Sequence, residues 1–216
     1  MKKFDKLIEI VARLRKDCPW DRAQTLETLK PFLIEEVYEA IQSIDEKNPD
    51  KLAEELGDML LHVVMLGVML GENSKHSVES IVAGITEKMI ARHPHVFGKK
   101  KAKTAEDVLR HWEKAKNHKN VMGSIPRSLP ALQRAEKVQK RAARVGFDWD
   151  QVAGAWEKVY EEMDEVHAVM TNDKYQMSNE GKTILKEEIG DLLFAITNVA
   201  RKLDIHAEEA LQEAST

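Results

Sequence analysis

The sequence predicts an all-α protein, and three observations support this fold class. Apolar residues recur at spacings of three and four along most of the 216 residues, which is the period of an amphipathic helix. Ala, Leu, Glu, Lys and Met are frequent, whereas aromatic residues make up only 6% of the chain. Because 43% of the residues are hydrophobic, the chain has enough apolar side chains to bury a core and is not expected to be disordered.

Breaks in the apolar pattern divide the chain into consecutive helices, and Pro, Gly and Asn mark most of these breaks. The breaks fall at Cys18-Pro19-Trp20-Asp21, Asn48-Pro49, 71–73, His93-Pro94-His95, 123–130 and 146–148. Between them we expect helices at about 3–16, 25–46, 49–71, 77–92, 104–117, 130–144, 151–171, 180–203 and from 206 to the end.

Charge and cysteine content exclude several classes of protein. The formal net charge is −4, which argues against a general binder of nucleic-acid backbones, so no direct nucleic-acid partner is expected. Cys18 is the only cysteine, which excludes an internal disulfide and fits a cytoplasmic location. The first 17 residues carry charges throughout and do not resemble a signal peptide. The most apolar stretch, 59–70, is too short to span a bilayer, so no membrane contact is expected.

One acidic pattern occurs twice and indicates an internal repeat of about 60 residues. Glu-Glu-x-x-Glu is followed by Glu-x-Gly-Asp, first as Glu35, Glu36, Glu39, Glu55, Gly57 and Asp58, then as Glu161, Glu162, Glu165, Glu188, Gly190 and Asp191. The repeats cover 30–92 and 155–216. We expect an N-terminal domain at 1–98, a linker region with a short helix at 99–129, and a C-terminal domain at 130–216.

The repeated carboxylates fall inside apolar helix stripes. Glu36 lies three residues after Leu33 and four before Ala40, and Glu55 lies three after Leu52 and four before Met59. Glu162 and Glu188 occupy the same kind of position in the second copy. Ionised carboxylates on a packed face are costly unless they are paired or bind a metal, so we expect a cation between them. A solvated acidic face is the alternative.

A hard divalent cation fits these carboxylates best. Mg²⁺, or alternatively Mn²⁺, takes oxygen ligands and completes its coordination shell with water and substrate phosphates. Di-iron sites in helical bundles need Glu-x-x-His, which neither copy contains.

Gly57 and Gly190 each cost a helix about 1 kcal/mol relative to Ala. They indicate the close approach of a helix or ligand, or are simply tolerated.

Several motifs together resemble the MazG-type nucleoside triphosphate pyrophosphohydrolases over essentially the whole chain. They are CPWDRAQT at 18–25, LIEEVYEAI at 33–41, EELGDMLLHVV at 54–64, RHPHVFG at 92–98, LPALQRAEKVQKRAARVGFDW at 129–149 and EEIGDLLFAITNVAR at 187–201. The resemblance implies tandem helical-bundle repeats that dimerisation completes, so that the protein is expected to be a homodimer. It also implies Mg²⁺-dependent hydrolysis of nucleoside triphosphates to a monophosphate and pyrophosphate, with broad base tolerance.

The resemblance also implies roles for single residues. The metal ligands would be Glu36, Glu39, Glu55, Asp58, Glu162, Glu165, Glu188 and Asp191. The residues that orient the attacking water would be Glu35, Glu161 and Glu187. The nucleotide contacts would be Lys88, Arg92, Lys158 and Asn198. The second repeat's equivalent of Lys88 would fall beyond Thr216, and the first repeat has Met65 at the position of Asn198, so the two sites are expected to be unequal.

Trp20 and Gln24 follow the first break, where they would contact a base by stacking and hydrogen bonding or anchor the loop.

The predicted function is a Mg²⁺-dependent pyrophosphohydrolase that cleanses or regulates nucleotide pools. The alternatives are a pyrophosphatase restricted to one deoxynucleotide, and a regulatory module that binds nucleotide with little or no turnover.

Overall fold

The computed structural model describes residues 2–104, 107–108, 125–172 and 178–215. All regular structure in this part of the chain is helical, which confirms the predicted fold class. The helices are α1 (Lys2–Asp17), α2 (Pro19–Ala23), α3 (Lys30–Asp45), α4 (Pro49–Asn73), α5 (Val78–Arg92), α6 (Ala131–Arg144), α7 (Val152–Thr171), α8 (Asn179–Lys202) and α9 (Ala207–Ala214). The helix predicted at 104–117 lies mostly outside the described residues.

Most predicted helix boundaries agree with the structure to within two residues, and the exception follows Cys18. The sequence predicted a simple break there and a helix from 25. The chain instead forms the five-residue helix α2, with Pro19 in its first turn, and α3 begins at Lys30. Proline suits that position because its fixed φ is helical and its missing N–H would have no partner within the helix.

Side-chain caps explain why several helices begin where they do. The Asn48 side chain accepts a hydrogen bond from the backbone N–H of Lys51 at the start of α4. Ser77 and Ser80 form a reciprocal capping box at the start of α5. At the end of α6, Gly146 adopts a φ of 87°, a left-handed conformation that glycine tolerates best.

The chain divides into two compact units, Met1–Lys116 and Asn117–Thr216. In unit 1, α3 and α4 form an antiparallel pair, α1 packs against α2 and α4, and α5 packs against α4. Its core consists of Val11, Leu29, Val64, Met65, Met69 and Val78. A Cβ at Gly67 would lie 2.8 Å from a Val78 methyl group, so this glycine allows α5 to approach α4.

In unit 2, α7 and α8 form the main helix pair, α6 packs against α8, and α9 packs against both α6 and α8. Its core consists of Ala155, Val159, Ala195 and Val199. The buried carboxylate of Glu136 lies 3.2 Å from Nδ1 of His206 and also pairs with Lys140, which links α6 to α9. Each unit thus presents one long antiparallel helix pair that carries a copy of the acidic pattern.

No helix in the described part of the chain combines the length and apolar character that a membrane span requires.

Candidate metal centres

Each unit brings three carboxylates together between its two main helices. Glu36 on α3 meets Glu55 and Asp58 on α4, and Glu162 on α7 meets Glu188 and Asp191 on α8. Within each set, one carboxylate oxygen per residue lies within 4.8 Å of the others. We call these sets triad 1 and triad 2. Both are assembled in the same way, because two residues three apart share a helix face and the third projects from the neighbouring helix.

One glutamate of each triad is buried, where a negative charge is unfavourable without a nearby cation. Glu55 is 7% exposed and Glu162 is 5% exposed. Desolvation, followed by the negative charge of Glu39, raises the pKa of Glu55. A divalent cation among these oxygens would relieve both effects, because it replaces lost hydration and neutralises the neighbouring charges. The donor sets contain carboxylate oxygens alone, which fits Mg²⁺ or Mn²⁺.

The fourth predicted ligand of each unit lies beside its triad. Glu39 acts on Glu55 strongly enough to raise its pKa. A hydrogen bond with Glu162, together with desolvation, raises the pKa of Glu165. Two carboxyl groups in hydrogen-bond contact share a proton more readily than they tolerate two charges. Glu39 and Glu165 therefore border the triads, and their assignment as ligands stays a prediction.

The predicted apolar stripe of α4 is wrong as a description of the core of unit 1. Leu56, Leu60 and Val63 continue the apolar spacing of Leu52 and Met59, yet they are exposed, by 41–53%. The inward face of α4 instead includes Glu55, Met65 and Met69. In unit 2 the predicted stripe around Glu162 is correct in part, because Val159 is buried and Val166 is half-buried but Met163 is 51% exposed. The carboxylates in unit 1 thus share the packed face, while aliphatic residues face outward.

The close approach proposed for Gly57 and Gly190 is also not found within the chain. A Cβ built at either position meets no atom within 4 Å among the described residues. The glycine that a neighbouring helix does approach is Gly67, which the sequence pattern did not single out.

Triad 1 is neighboured by a row of aromatic rings. Nε2 of His62 lies 3.4 Å from Oε1 of Glu36. The His62 ring stacks on Phe32, and Phe32 meets Trp20 edge-on, with ring centroids 6.1 Å apart in both contacts. His62 thus contacts a carboxylate of triad 1. Trp20 is exposed at the outer end of this row.

Triad 2 has a lysine where triad 1 has an aromatic ring. Nζ of Lys158 lies 2.6 Å from Oε1 of Glu162 and 2.8 Å from Oε1 of Glu161. These two hydrogen bonds raise the pKa of Lys158, so its ammonium stays charged. Phe32 precedes Glu36 by four residues, as Lys158 precedes Glu162, and Ala195 follows Asp191 by four, as His62 follows Asp58.

The remaining predicted site residues lie around the triads or away from them. Glu35, Glu161 and Glu187 are exposed on the helices that carry the triads. Lys88 is exposed on α5, and Arg92 is half-buried at the end of that helix. Gln24 donates to the carbonyl of Trp20 and accepts from Thr28, so it organises the loop before α3. It also lines a cavity of about 360 Å³.

Asn198 is buried rather than open to solvent. Its Oδ1 accepts a 2.8 Å hydrogen bond from Nε of Arg201, whose Nη2 reaches Asp148 at 2.6 Å. In unit 1, Arg15 makes a bidentate ion pair with Glu72 and donates to the carbonyls of Asp21 and Gln24. Neither arginine was predicted from the sequence, because long-range pairs leave no periodic signal along a chain.

Comparison with known proteins gives matches along the whole chain. The family described as the MazG nucleotide pyrophosphohydrolase domain matches residues 24–97. The chain is 43% identical to the nucleoside triphosphate pyrophosphohydrolase of Escherichia coli strain K12, over 100% of this chain and 84% of that protein. It is 42% identical to the nucleoside triphosphate pyrophosphohydrolase/pyrophosphatase MazG of Thermotoga maritima, over 98% of this chain and 81% of that protein. A solved mazG-related protein from Thermotoga maritima covers 53% of this chain and 99% of its own, with 26% identity and a TM-score of 0.47.

Proposed function

The chain belongs to the MazG family of nucleoside triphosphate pyrophosphohydrolases, and from that premise we propose that it hydrolyses nucleoside triphosphates to monophosphate and pyrophosphate with Mg²⁺ held at its acidic triads. The observation that carries the proposal is the pair of carboxylate triads, each with one buried glutamate, in which one carboxylate oxygen per residue lies within 4.8 Å of the others. We propose a broad range of ribo- and deoxynucleotides, since no contact among the residues that the structure describes favours one base.

Triads 1 and 2 would hold the metal, with Glu39 and Glu165 beside them. Bound Mg²⁺ supplies positive charge for the phosphate chain and a water that is more acidic than bulk water. The protein's own part is to hold the carboxylates in place, because each triad is fixed by a packed helix pair. In this proposal the exposed Glu35, Glu161 and Glu187 orient the attacking water.

Charged and aromatic side chains next to the triads supply the nucleotide contacts in this proposal. Lys158 lies beside triad 2 and can donate to phosphate oxygens. Trp20 presents an exposed ring at the outer end of the aromatic row that leads to triad 1, and a base can stack on this ring. Lys88, Arg92 and Asn198 stay predictions, and Asn198 can take part only through an amide that already holds Arg201.

We also propose that the protein is a homodimer. Among the described residues, unit 1 exposes an aliphatic face on α3 and α4, and unit 2 exposes a comparable face. In unit 1 the face consists of Ile34, Val37, Ile41, Ile44, Leu56, Leu60 and Val63. Contiguous apolar faces of this kind mark association surfaces. Light scattering after size exclusion is expected to give twice the chain mass, and Val63→Glu is expected to give the monomer.

The test is incubation of the purified chain with each of the eight common triphosphates and Mg²⁺, followed by assay of pyrophosphate and monophosphate. We expect release from most substrates and loss of release with EDTA. Release from a single deoxynucleotide would favour the narrow-specificity alternative. Nucleotide binding without release would favour a regulatory module.

We propose the cytoplasm, where nucleotide pools lie, as the place of action.

A further inference from the structure

A single ammonium group distinguishes the two triads. Nζ of Lys158 lies 2.6 Å from a carboxylate oxygen of Glu162, the member of triad 2 that is almost fully buried. At the same position relative to triad 1, Phe32 carries no charge and stacks on His62 instead. Lys158 is therefore the counter-ion of triad 2 in the absence of a divalent cation.

A divalent cation and this ammonium group compete for the same carboxylate. A cation coordinated by either oxygen of Glu162 at about 2.1 Å would lie no more than about 7 Å from Nζ in its present position. Two positive centres at that separation repel each other, and the low exposure of Glu162 weakens the screening by water. The lysine side chain has four rotatable bonds and is 36% exposed, so it can swing outward.

We infer that Lys158 is a displaceable counter-cation of triad 2: it holds Glu162 until a divalent cation arrives, leaves that carboxylate when the cation binds, and is then free for the triphosphate. The inference rests on the proposed function, since it concerns the same site. It predicts that metal and nucleotide bind cooperatively at triad 2, because the released ammonium gains a new anionic partner only when phosphate is present. Triad 1, with Phe32 in place of the lysine, lacks this link.

The experiment measures Mn²⁺ binding by the spin-resonance signal of free Mn²⁺, without turnover. The full chain carries Glu36→Gln and Asp58→Asn so that triad 2 supplies the signal. Lys158→Met is compared with Lys182→Met, which removes the same charge from an exposed position on α8. We expect Lys158→Met to bind Mn²⁺ about fivefold tighter without nucleotide, and Lys182→Met to stay within about twofold of the parent, because only Lys158 is hydrogen-bonded to a triad oxygen.

A second readout separates displacement from a general charge effect. A non-hydrolysable triphosphate analogue should bind Lys158→Met about tenfold more weakly than the parent, while Lys182→Met is little changed. Lys158→Gln, which keeps a polar side chain, should shift both affinities in the same directions, and circular dichroism checks that each variant folds. Mn²⁺ binding by Lys158→Met that is no tighter than by Lys182→Met would overturn the inference. If the parent with triad 2 intact binds no Mn²⁺ at all, the proposed function itself fails at this site.

Discussion

The two triads are built alike and charged differently. Both place one glutamate from the first helix of a pair against a glutamate and an aspartate from the second. The neighbour of triad 1 is the imidazole of His62, at 3.4 Å from Glu36. The neighbour of triad 2 is the ammonium of Lys158, at 2.6 Å from Glu162. A duplicated set of carboxylates can therefore keep its geometry while the side chains beside it differ.

The two units also differ in the arginine ion pair that lies near the main helix pair. In unit 1 an arginine on α1 reaches a glutamate at the end of α4, whereas in unit 2 an arginine on α8 reaches an aspartate in the loop before α7. Arg15 donates to the backbone carbonyl of Asp21, and Arg201 donates to the side chain of Asp148, so each arginine contacts the segment that precedes a triad-bearing helix. Equivalent support is thus reached with different residues.

The largest expected effect separates the two triads by activity. Glu162→Gln should lower kcat/KM for a triphosphate by at least about 100-fold, because it removes a buried carboxylate that we propose as a metal ligand, in the triad whose lysine we propose to bind phosphate. Glu36→Gln should cost about tenfold or less, since triad 1 has Phe32 at the lysine position. Pyrophosphate release under identical Mg²⁺ measures both, with the exposed Glu157→Gln as control. Equal losses for the two variants would show that the neighbouring charges do not distinguish the triads.

The arginine anchors should give the next largest effect. Arg15→Met and Arg201→Met each leave a carboxylate and other acceptors without their donor, because both side chains are about 10% exposed and make several hydrogen bonds. We expect each to lower the free energy of unfolding by about 2 kcal/mol. The matched control is Arg13→Met, whose side chain is 82% exposed and should cost less than about 0.5 kcal/mol. Urea unfolding measures all three, and an Arg15→Met loss no larger than the control's would contradict the anchoring role.

The smallest effect is the pH dependence of the unit 1 anchor. The hydrogen bond from Arg15 lowers the pKa of Glu72. A carboxyl whose pKa is lowered by folding stabilises the protein above its unfolded pKa of about 4.3, and this stabilisation is lost as the pH falls through the lowered value. Wild type should therefore exceed Glu72→Gln in unfolding free energy at pH 7 by less than about 1 kcal/mol, because the pair is partly exposed.

Urea unfolding at pH 7 and at pH 3 tests this prediction, with Glu9→Gln as a control at an exposed ion pair. The gap between wild type and Glu72→Gln should narrow at pH 3. A gap that stays constant or widens on acidification would contradict the direction of the shift.

Much of the architecture was predictable because it depends on local signals. Helical periodicity and the breaks at Pro, Gly and Asn predicted the helix positions. Asn48 and Ser77 cap the N-termini of α4 and α5. The segment after Cys18 was not predictable as α2, because a five-residue helix has too few residues to show a period. The duplicated acidic pattern contains all six residues that form the two triads, and it could be recognised because the offsets between these residues repeat.

The sequence alone determined the fold class, the order of the helices and the duplication of the carboxylates, because these follow from spacing along one chain. Tertiary structure decided which face of each helix is buried, as the exposed Leu56 and Val63 show, because burial depends on neighbours far away in sequence. It also decided that Glu36 meets His62 while Glu162 meets Lys158. The Glu36–His62 contact joins two helices, and the Glu162–Lys158 contact depends on the rotamer of each side chain. The packing of each helix pair determines both.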